Sequence, residues 1–193
     1  MEGRGEERGE GLVEGRGQVL YFLGKLGRYG RQIMGGATLL ILYKLNSPLA
    51  LGYYALGSIV CILLNVVLKI LIKQPRPKED KPDFNFLIQN NKRVSYDKFG
   101  MPSGHAQFMF FTLSFMACVM RGYKYYWWLM TFFALLTANT VAQRVRDENH
   151  TVSQVIVGSV VGIMVGLGTY YITKSKLKGK IRMKEEDNAL FIG

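Results

Sequence analysis

Leu49-Ala-Leu-Gly-Tyr-Tyr-Ala-Leu-Gly-Ser-Ile-Val-Cys-Ile-Leu-Leu-Asn-Val-Val-Leu-Lys-Ile-Leu-Ile72 is an apolar run interrupted only by Asn65 and Lys69. At about 1.5 Å per residue, a helix over this run reaches roughly 36 Å, enough to cross a hydrocarbon core. The run predicts a membrane span. The same patterning predicts spans near residues 103–120, 125–142 and 153–173, and a weaker one near 27–45 that carries Arg28 and Arg31 at its start. A soluble bundle with buried apolar helices is the competing reading. Tyr125, Tyr126, Trp127 and Trp128, gathered at one end of a run, favour anchoring at a membrane interface. The expected fold is all-α, a polytopic membrane bundle of about five transmembrane helices. The mean hydropathy of +0.09 averages very polar ends with these apolar middles.

Outside the spans the composition changes. Residues 1–17 hold six Gly, five Glu and three Arg, with the string EGRG at 2–5 and again at 14–17. Such a stretch buries too little apolar surface to fold, so a disordered tail is expected. No apolar run precedes a small-residue cleavage site there, so the expectation is insertion through the first spanning helix, with no cleavable signal peptide. Residues 18–31 mix Val19, Leu20, Phe22, Leu23 and Leu26 with Lys25, Arg28 and Arg31. They read either as an interfacial amphipathic helix or as an extension of the first span. Residues 174–193 form a basic C-terminal tail.

The net charge of +11 raises nucleic acid as a partner. In a membrane protein whose cations are spread over loops and tails, anionic lipid is the nearer one, and no nucleic acid is expected. Cys61 and Cys118 fall inside predicted spans, where thiols act as small apolar side chains, and no metal site is implied. Gly158, Gly162 and Gly166 share one face of the last span. They allow a close helix neighbour, within the monomer first and across a homo-oligomer second.

The chemistry-bearing residues lie at the ends of the spans. Lys69 and Arg76 are seven residues apart, with Pro75 and Pro77 ending the helix near Lys73, so both cations can converge on one anion. Snorkelling of Lys69 to the headgroups is the alternative. The polar stretch 78–99 reads as a loop over the site, with Phe84, Phe86, Leu87 and Ile88 placed to dip into the interface. Pro102-Ser103-Gly104-His105 opens the third span, with a helix N-terminus whose N–H groups attract an anion. Arg144 and His150 lie between the fourth and fifth spans. If every span crosses once, all three clusters meet at one membrane face. Two imidazoles and three cations can together move a phosphoryl group.

These stretches resemble the type 2 phosphatidic acid phosphatase superfamily, which includes lipid phosphatases and vanadium haloperoxidases. Its signature is K-x6-R-P, P-S-G-H and S-R-x5-H-x3-D. The match covers about residues 69–154 and is complete in the first two parts; in the third, Gln143 stands for Ser and Gln154 for Asp. Phe99 to Met109 and His150 to Val155 look most similar to the dolichyldiphosphatase branch, which also carries Gln after the last histidine.

The resemblance implies that residues 18–173 form a membrane-embedded phosphatase domain. It implies that His150 is the nucleophile and forms a phosphohistidine, with His105 as general acid. Lys69, Arg76 and Arg144 would bind phosphoryl oxygens, with Ser103 and the Gly104 N–H as added donors. Gln154, one turn after His150, would orient its ring in place of Asp. No cofactor or divalent metal is implied, because protein cations do that work. The implied substrate is a polyprenyl diphosphate, cleaved to the monophosphate and inorganic phosphate.

A phosphatidate or sphingoid phosphate phosphatase would use the same parts, and Gln143 and Gln154 leave a catalytically weak membrane scaffold as a reading of another class. Asp147 and Glu148 read as solvated loop charges, and the sequon Asn149-His150-Thr151 is expected to be unused, since a glycan would obstruct the nucleophile. The cations after the last span, with Arg121 and Lys124, favour a cytoplasmic face opposite the site. The site would then be lumenal, in the endoplasmic reticulum or a similar membrane.

Overall fold

A computed structural model describes residues 3–45, 47–78, 88–89, 92–93 and 95–178, with the backbone alone described over residues 3–17, 20, 88–89, 92–93, 95–96 and 177–178. Its helices are α1 (Gly3–Lys44), α2 (Pro48–Ile72), α3 (Gly104–Val119), α4 (Tyr126–Arg146) and α5 (Val152–Lys178). Between α2 and α3 the short strands β1 (Ile88–Gln89) and β2 (Lys92–Arg93) pair antiparallel, followed by a 3-10 turn at Ser95–Lys98. Residues 18–31 are part of the continuous helix α1, so they extend the first predicted span and form no separate interfacial helix. The expectation for Phe84 to Leu87, and residues 179–193 of the basic tail, lie outside the described residues.

Pro48 sits in the first turn of α2, where its missing N–H is no loss. The helix ends at Lys73, which adopts the left-handed conformation at φ 53° and donates its N–H to the Lys69 carbonyl at 3.0 Å. Pro75 and Pro77 cannot continue it. The buried residues of α2 are Ala50, Tyr54, Gly57, Cys61, Asn65 and Lys69, three or four apart, and so form a single inward stripe. Leu56, Ile59, Ile62, Leu63 and Leu71 are exposed around the rest of the helix. A helix whose exposed face is this apolar matches lipid as its surroundings.

Among the described residues, α2 and the Val152–Lys176 stretch of α5 are long and apolar enough to cross a membrane. Helix α3 is apolar but has only 16 residues, about 24 Å of helix. It is the centre of the bundle, packed on α1, α2, α4 and α5. Tyr54 of α2 stacks on Phe111 of α3 with ring centroids 5.5 Å apart, and Phe115 closes the cluster. The glycine stripe of α5 works within the monomer. A Cβ at Gly158 would lie 2.6 Å from the Ser103 carbonyl, and Cβ atoms at Gly162 and Gly166 would strike the α3 backbone. Trp127 and Trp128, 77% and 80% exposed, stand at the start of α4, the end opposite Arg144.

The inward stripes decide where the charged residues go. On α4 the buried residues Met130, Phe133, Leu136, Thr137, Thr140 and Arg144 also share one face and end on a cation. Lys69 ends the corresponding stripe on α2, and Gln154 begins the one on α5. The fold therefore delivers Lys69, Arg144 and Gln154 to one end of the bundle.

Candidate active site

Lys69 and Arg76 converge as their spacing predicts, and the anion between them is the carboxylate of Asp97 from the 3-10 turn. Lys69 Nζ lies 3.4 Å and Arg76 Nη2 2.9 Å from Asp97 Oδ1, and Arg76 Nε donates to the Asp97 carbonyl at 2.9 Å. All three residues are buried, so Lys69 does not snorkel. Asp97 is absent from the sequence-based set of site residues, because it stands in a polar loop with no motif around it.

Arg76 also reaches the other end of the site. Its Nη1 donates to the Asn149 carbonyl at 3.1 Å and lies 3.1 Å from His150 Nε2. Nδ1 of His150 faces two oxygens, the Gly100 carbonyl at 3.0 Å and Gln154 Oε1 at 3.2 Å. Since neither oxygen can donate, the proton sits on Nδ1, and Nε2 carries the lone pair. Burial first, then the positive charges of Arg76, Arg144 and Lys69, hold the His150 imidazole well below the ordinary histidine value; the hydrogen bond to Gln154 acts in the opposite sense. The ring is neutral at pH 7.

Gln154 is fully buried and fixed at both ends. Its Nε2 donates to the Pro75 carbonyl at 2.8 Å and to Gln74 Oε1 at 3.2 Å, while Oε1 accepts from the Thr151 N–H at 3.2 Å as well as from His150. The amide cannot be reversed, because the Pro75 carbonyl needs a donor. Gly100 is pressed against this amide so closely that a Cβ there would lie 2.6 Å from Gln154 Cδ.

Ser103 is the N-cap of α3, but its hydroxyl makes no capping bond. The Oγ is buried and has no hydrogen-bond partner, a costly state that a bound oxyanion would relieve. The Ser103 N–H donates to the Gln154 carbonyl at 3.0 Å, which ties the start of α3 to the start of α5. Asn65 donates to the Pro102 carbonyl at 3.2 Å and to Gln107 Oε1 at 2.8 Å, and bracing of this kind fixes the turn that carries Ser103 and Gly104. His105 lies in the first turn of α3 and feels the positive charges of Arg144, Arg31 and Arg76. The Arg144 carbonyl accepts the N–H groups of Asn149 and His150 at 3.1 and 3.2 Å, so the α4–α5 turn is built on Arg144.

The two departures from the signature are structurally used. Gln143 Nε2 donates to both carboxylate oxygens of Asp147 at 3.0 Å, and Glu148 pairs with Lys78 at the surface. Asn149 of the sequon is buried. Among the described residues no three His, Cys, Asp or Glu side chains gather as metal ligands do.

This buried arrangement can hold an oxyanion among Lys69, Arg76, Arg144 and Ser103 beside a neutral imidazole. The family model described as the PAP2 superfamily matches residues 50–178, which includes every one of these groups. The chain belongs to the PAP2 superfamily. It is accordingly a membrane protein, with two candidate spans among its described residues. Among curated proteins, it is 33% identical over 129 residues to the dolichyldiphosphatase of Saccharomyces cerevisiae (strain ATCC 204508 / S288c), covering 61% of this chain and 49% of that protein. It is 35% identical over 122 residues to dolichyldiphosphatase 1 of Dictyostelium discoideum, covering 60% and 48%. The chain spans about half the length of these relatives. No solved structure gives a significant match.

Proposed function

We propose that this protein is a lipid phosphatase that hydrolyses a polyprenyl diphosphate of the dolichyl type to the monophosphate and inorganic phosphate. The observation that carries the reading is the His150 ring, with its Nδ1 proton held by Gly100 and Gln154 and its Nε2 lone pair turned to Arg76. The substrate class rests on the similarity to two proteins named dolichyldiphosphatase.

In this mechanism the terminal phosphoryl group displaces Arg76 from Nε2 and lies among Lys69, Arg76, Arg144, the Ser103 hydroxyl and the Gly104 N–H. The Nε2 lone pair attacks phosphorus as the bridging P–O bond breaks. The bond's electron pair leaves on the lipid monophosphate, and His105 donates its proton to that oxygen. Water then attacks the phosphohistidine, giving its proton to His105, and the P–N bond breaks to return neutral His150 and inorganic phosphate. The cations neutralise charge that grows in the transition state, the role a divalent metal plays elsewhere. Gln154 is a positioning residue.

Five crossings, one per helix, put all the site's residues at one membrane face, and the cations beyond α5 favour the lumenal side for that face. An endoplasmic reticulum or similar membrane suits such a substrate. The deciding experiment is phosphate release by the detergent-purified protein in excess EDTA, from a polyprenyl diphosphate and from phosphatidate, with His150→Ala as control. Release from the diphosphate that the substitution abolishes is the expected result. Preference for phosphatidate would make the protein a general lipid phosphatase, and no release from either by folded protein would leave a scaffold.

A further inference from the structure

Arg31 belongs to α1, outside the region matched by the family, and no signature position assigns it a role. Its sequence context explains it as a charge at the start of a span. The packing of α1 gives it a different setting. Gly27 and Gly30 press α1 onto α4: a Cβ at Gly27 would lie 2.8 Å from Gln143 Cβ, and one at Gly30 would strike the Thr140 side chain. Asn139 Nδ2 ties the two helices further by donating to the Leu23 carbonyl at 2.9 Å. Thr140 is one turn before Arg144. On the other side Gly35, one turn after Arg31, meets the ring of Phe108, which is three residues beyond His105. These contacts put Arg31 within about one helical turn of the levels of Arg144 and His105, half-buried on a helix that packs on both α3 and α4.

Among the described residues no carboxylate pairs with Arg31 and no acceptor takes a hydrogen bond from it. Its strongest charge partner is another cation, Arg144. Asp97, the opposing charge that acts on Arg31, is already shared by Lys69 and Arg76. A half-buried guanidinium with no carboxylate partner among the described residues is a standing demand for an anion. The distribution of cations is also uneven. Arg31 acts on His105, together with Arg144 and Arg76, and is absent from the cations acting on His150, which are Arg76, Arg144 and Lys69.

We propose that Arg31 binds the phosphoryl group that leaves, the one still esterified to the lipid, and so makes the site selective for diphosphates over monoesters. The inference rests on the proposed mechanism, in which His150 faces the phosphorus attacked and His105 the oxygen that departs. With a monoester that oxygen leaves on an alcohol, which offers no charge for Arg31 to meet. With a diphosphate it leaves on a phosphate, and charge grows on that group as the bond breaks. A guanidinium beside it stabilises this charge in two-point fashion.

The test compares kcat/KM for a polyprenyl diphosphate and for the monophosphate of the same lipid in wild type, Arg31→Gln and Arg31→Lys, all in detergent. Arg31→Gln should lower the diphosphate value about 10- to 100-fold, mostly in kcat, and leave the monophosphate value within about twofold. Arg31→Lys should recover part of the loss. Should Arg31→Gln fail to fold, the substrate ratio of Arg31→Lys still reads the effect, because a point charge replaces the planar fork. Equal losses on both substrates, or none on either, would overturn the proposal while leaving the diphosphatase reading intact. A wild-type protein that cleaves only monoesters would overturn both.

Discussion

Gln154 Oε1 accepts from Nδ1 of His150 at 3.2 Å, and the other end of the same amide is bonded to the Pro75 carbonyl at 2.8 Å. A glutamine here is more than an aspartate without its charge. It reads the imidazole tautomer with one end and braces the segment carrying Arg76 with the other. Gln154→Ala removes both functions, and kcat should fall about tenfold for a lost hydrogen bond to the ring. Gln154→Asp keeps an acceptor on a shorter side chain but has no donor for Pro75. It should change kcat without abolishing turnover and lower stability by about 1–3 kcal/mol for the unpaired carbonyl. Complete inactivity of a folded Gln154→Asp protein would contradict the positioning role.

Asp97 holds two buried cations with a single oxygen. Asp97→Ala leaves Lys69 and Arg76 without that partner, and breaking a buried ion network in this way costs about 3–5 kcal/mol. The measurement is thermal unfolding in detergent. Inorganic phosphate should restore part of the lost Tm in Asp97→Ala, since an oxyanion can take the place of the carboxylate. An unshifted Tm without phosphate would show that Asp97 carries no such weight.

His150 is held neutral well below the ordinary histidine value, and the sign of the pH effect follows. As pH falls below about 6.5 the unfolded chain takes up a proton at this position before the folded one does. The stability contribution is therefore complete above that pH and is lost as pH falls toward the folded value. For activity, the acid limb of kcat/KM set by His150 should lie below pH 6.5. Lys69→Met removes one of the charges that depress the ring and should move that limb upward. Profiles of the two proteins on one substrate decide it, since the substrate's own titration is common to both. A limb that moves down would be inconsistent with the charge assignment.

Gly158 tests whether the α3–α5 seam matters to the site. A Cβ there meets the Ser103 carbonyl at 2.6 Å, so Gly158→Ala must move Ser103 and the start of α3. A loss of about 1–3 kcal/mol and a raised KM are expected. Gly168→Ala is the control on the same helix: nothing lies within 4 Å of its Cβ position, and alanine favours the helix by up to about 1 kcal/mol. Equal behaviour of the two variants would dismiss the seam.

The apolar runs and the polar residues at their ends were legible in the chain, because length, hydropathy and motif spacing are local properties. Lys69, Arg76, His105, Arg144 and His150 could be assembled from spacing and parity alone. Asp97 could not. It lies 28 positions after Lys69 with no periodicity between them, and only the folded loop brings the two together. The tautomer of His150 was half legible: Gln154 is one turn away on a helix, but the Gly100 carbonyl is a backbone group whose place depends on the α2–α3 connection. Arg31 read as an ordinary charge at a span's start, since the glycine contacts that seat α1 on α4 have no sequence signal beyond glycine itself.

The connection between α2 and α3 is clasped at its base. The Gly100 N–H donates to the Gln74 carbonyl at 2.7 Å, Pro75 pairs with Phe99, and Arg76 joins Asp97 immediately inside that clasp. The base holds the reactive parts together through its own bonds, and the cost of closing a longer loop rises only as the logarithm of its length. A change of length between Pro77 and Tyr96 is therefore cheap in closure entropy, and the clasp keeps Arg76 in register with Asp97.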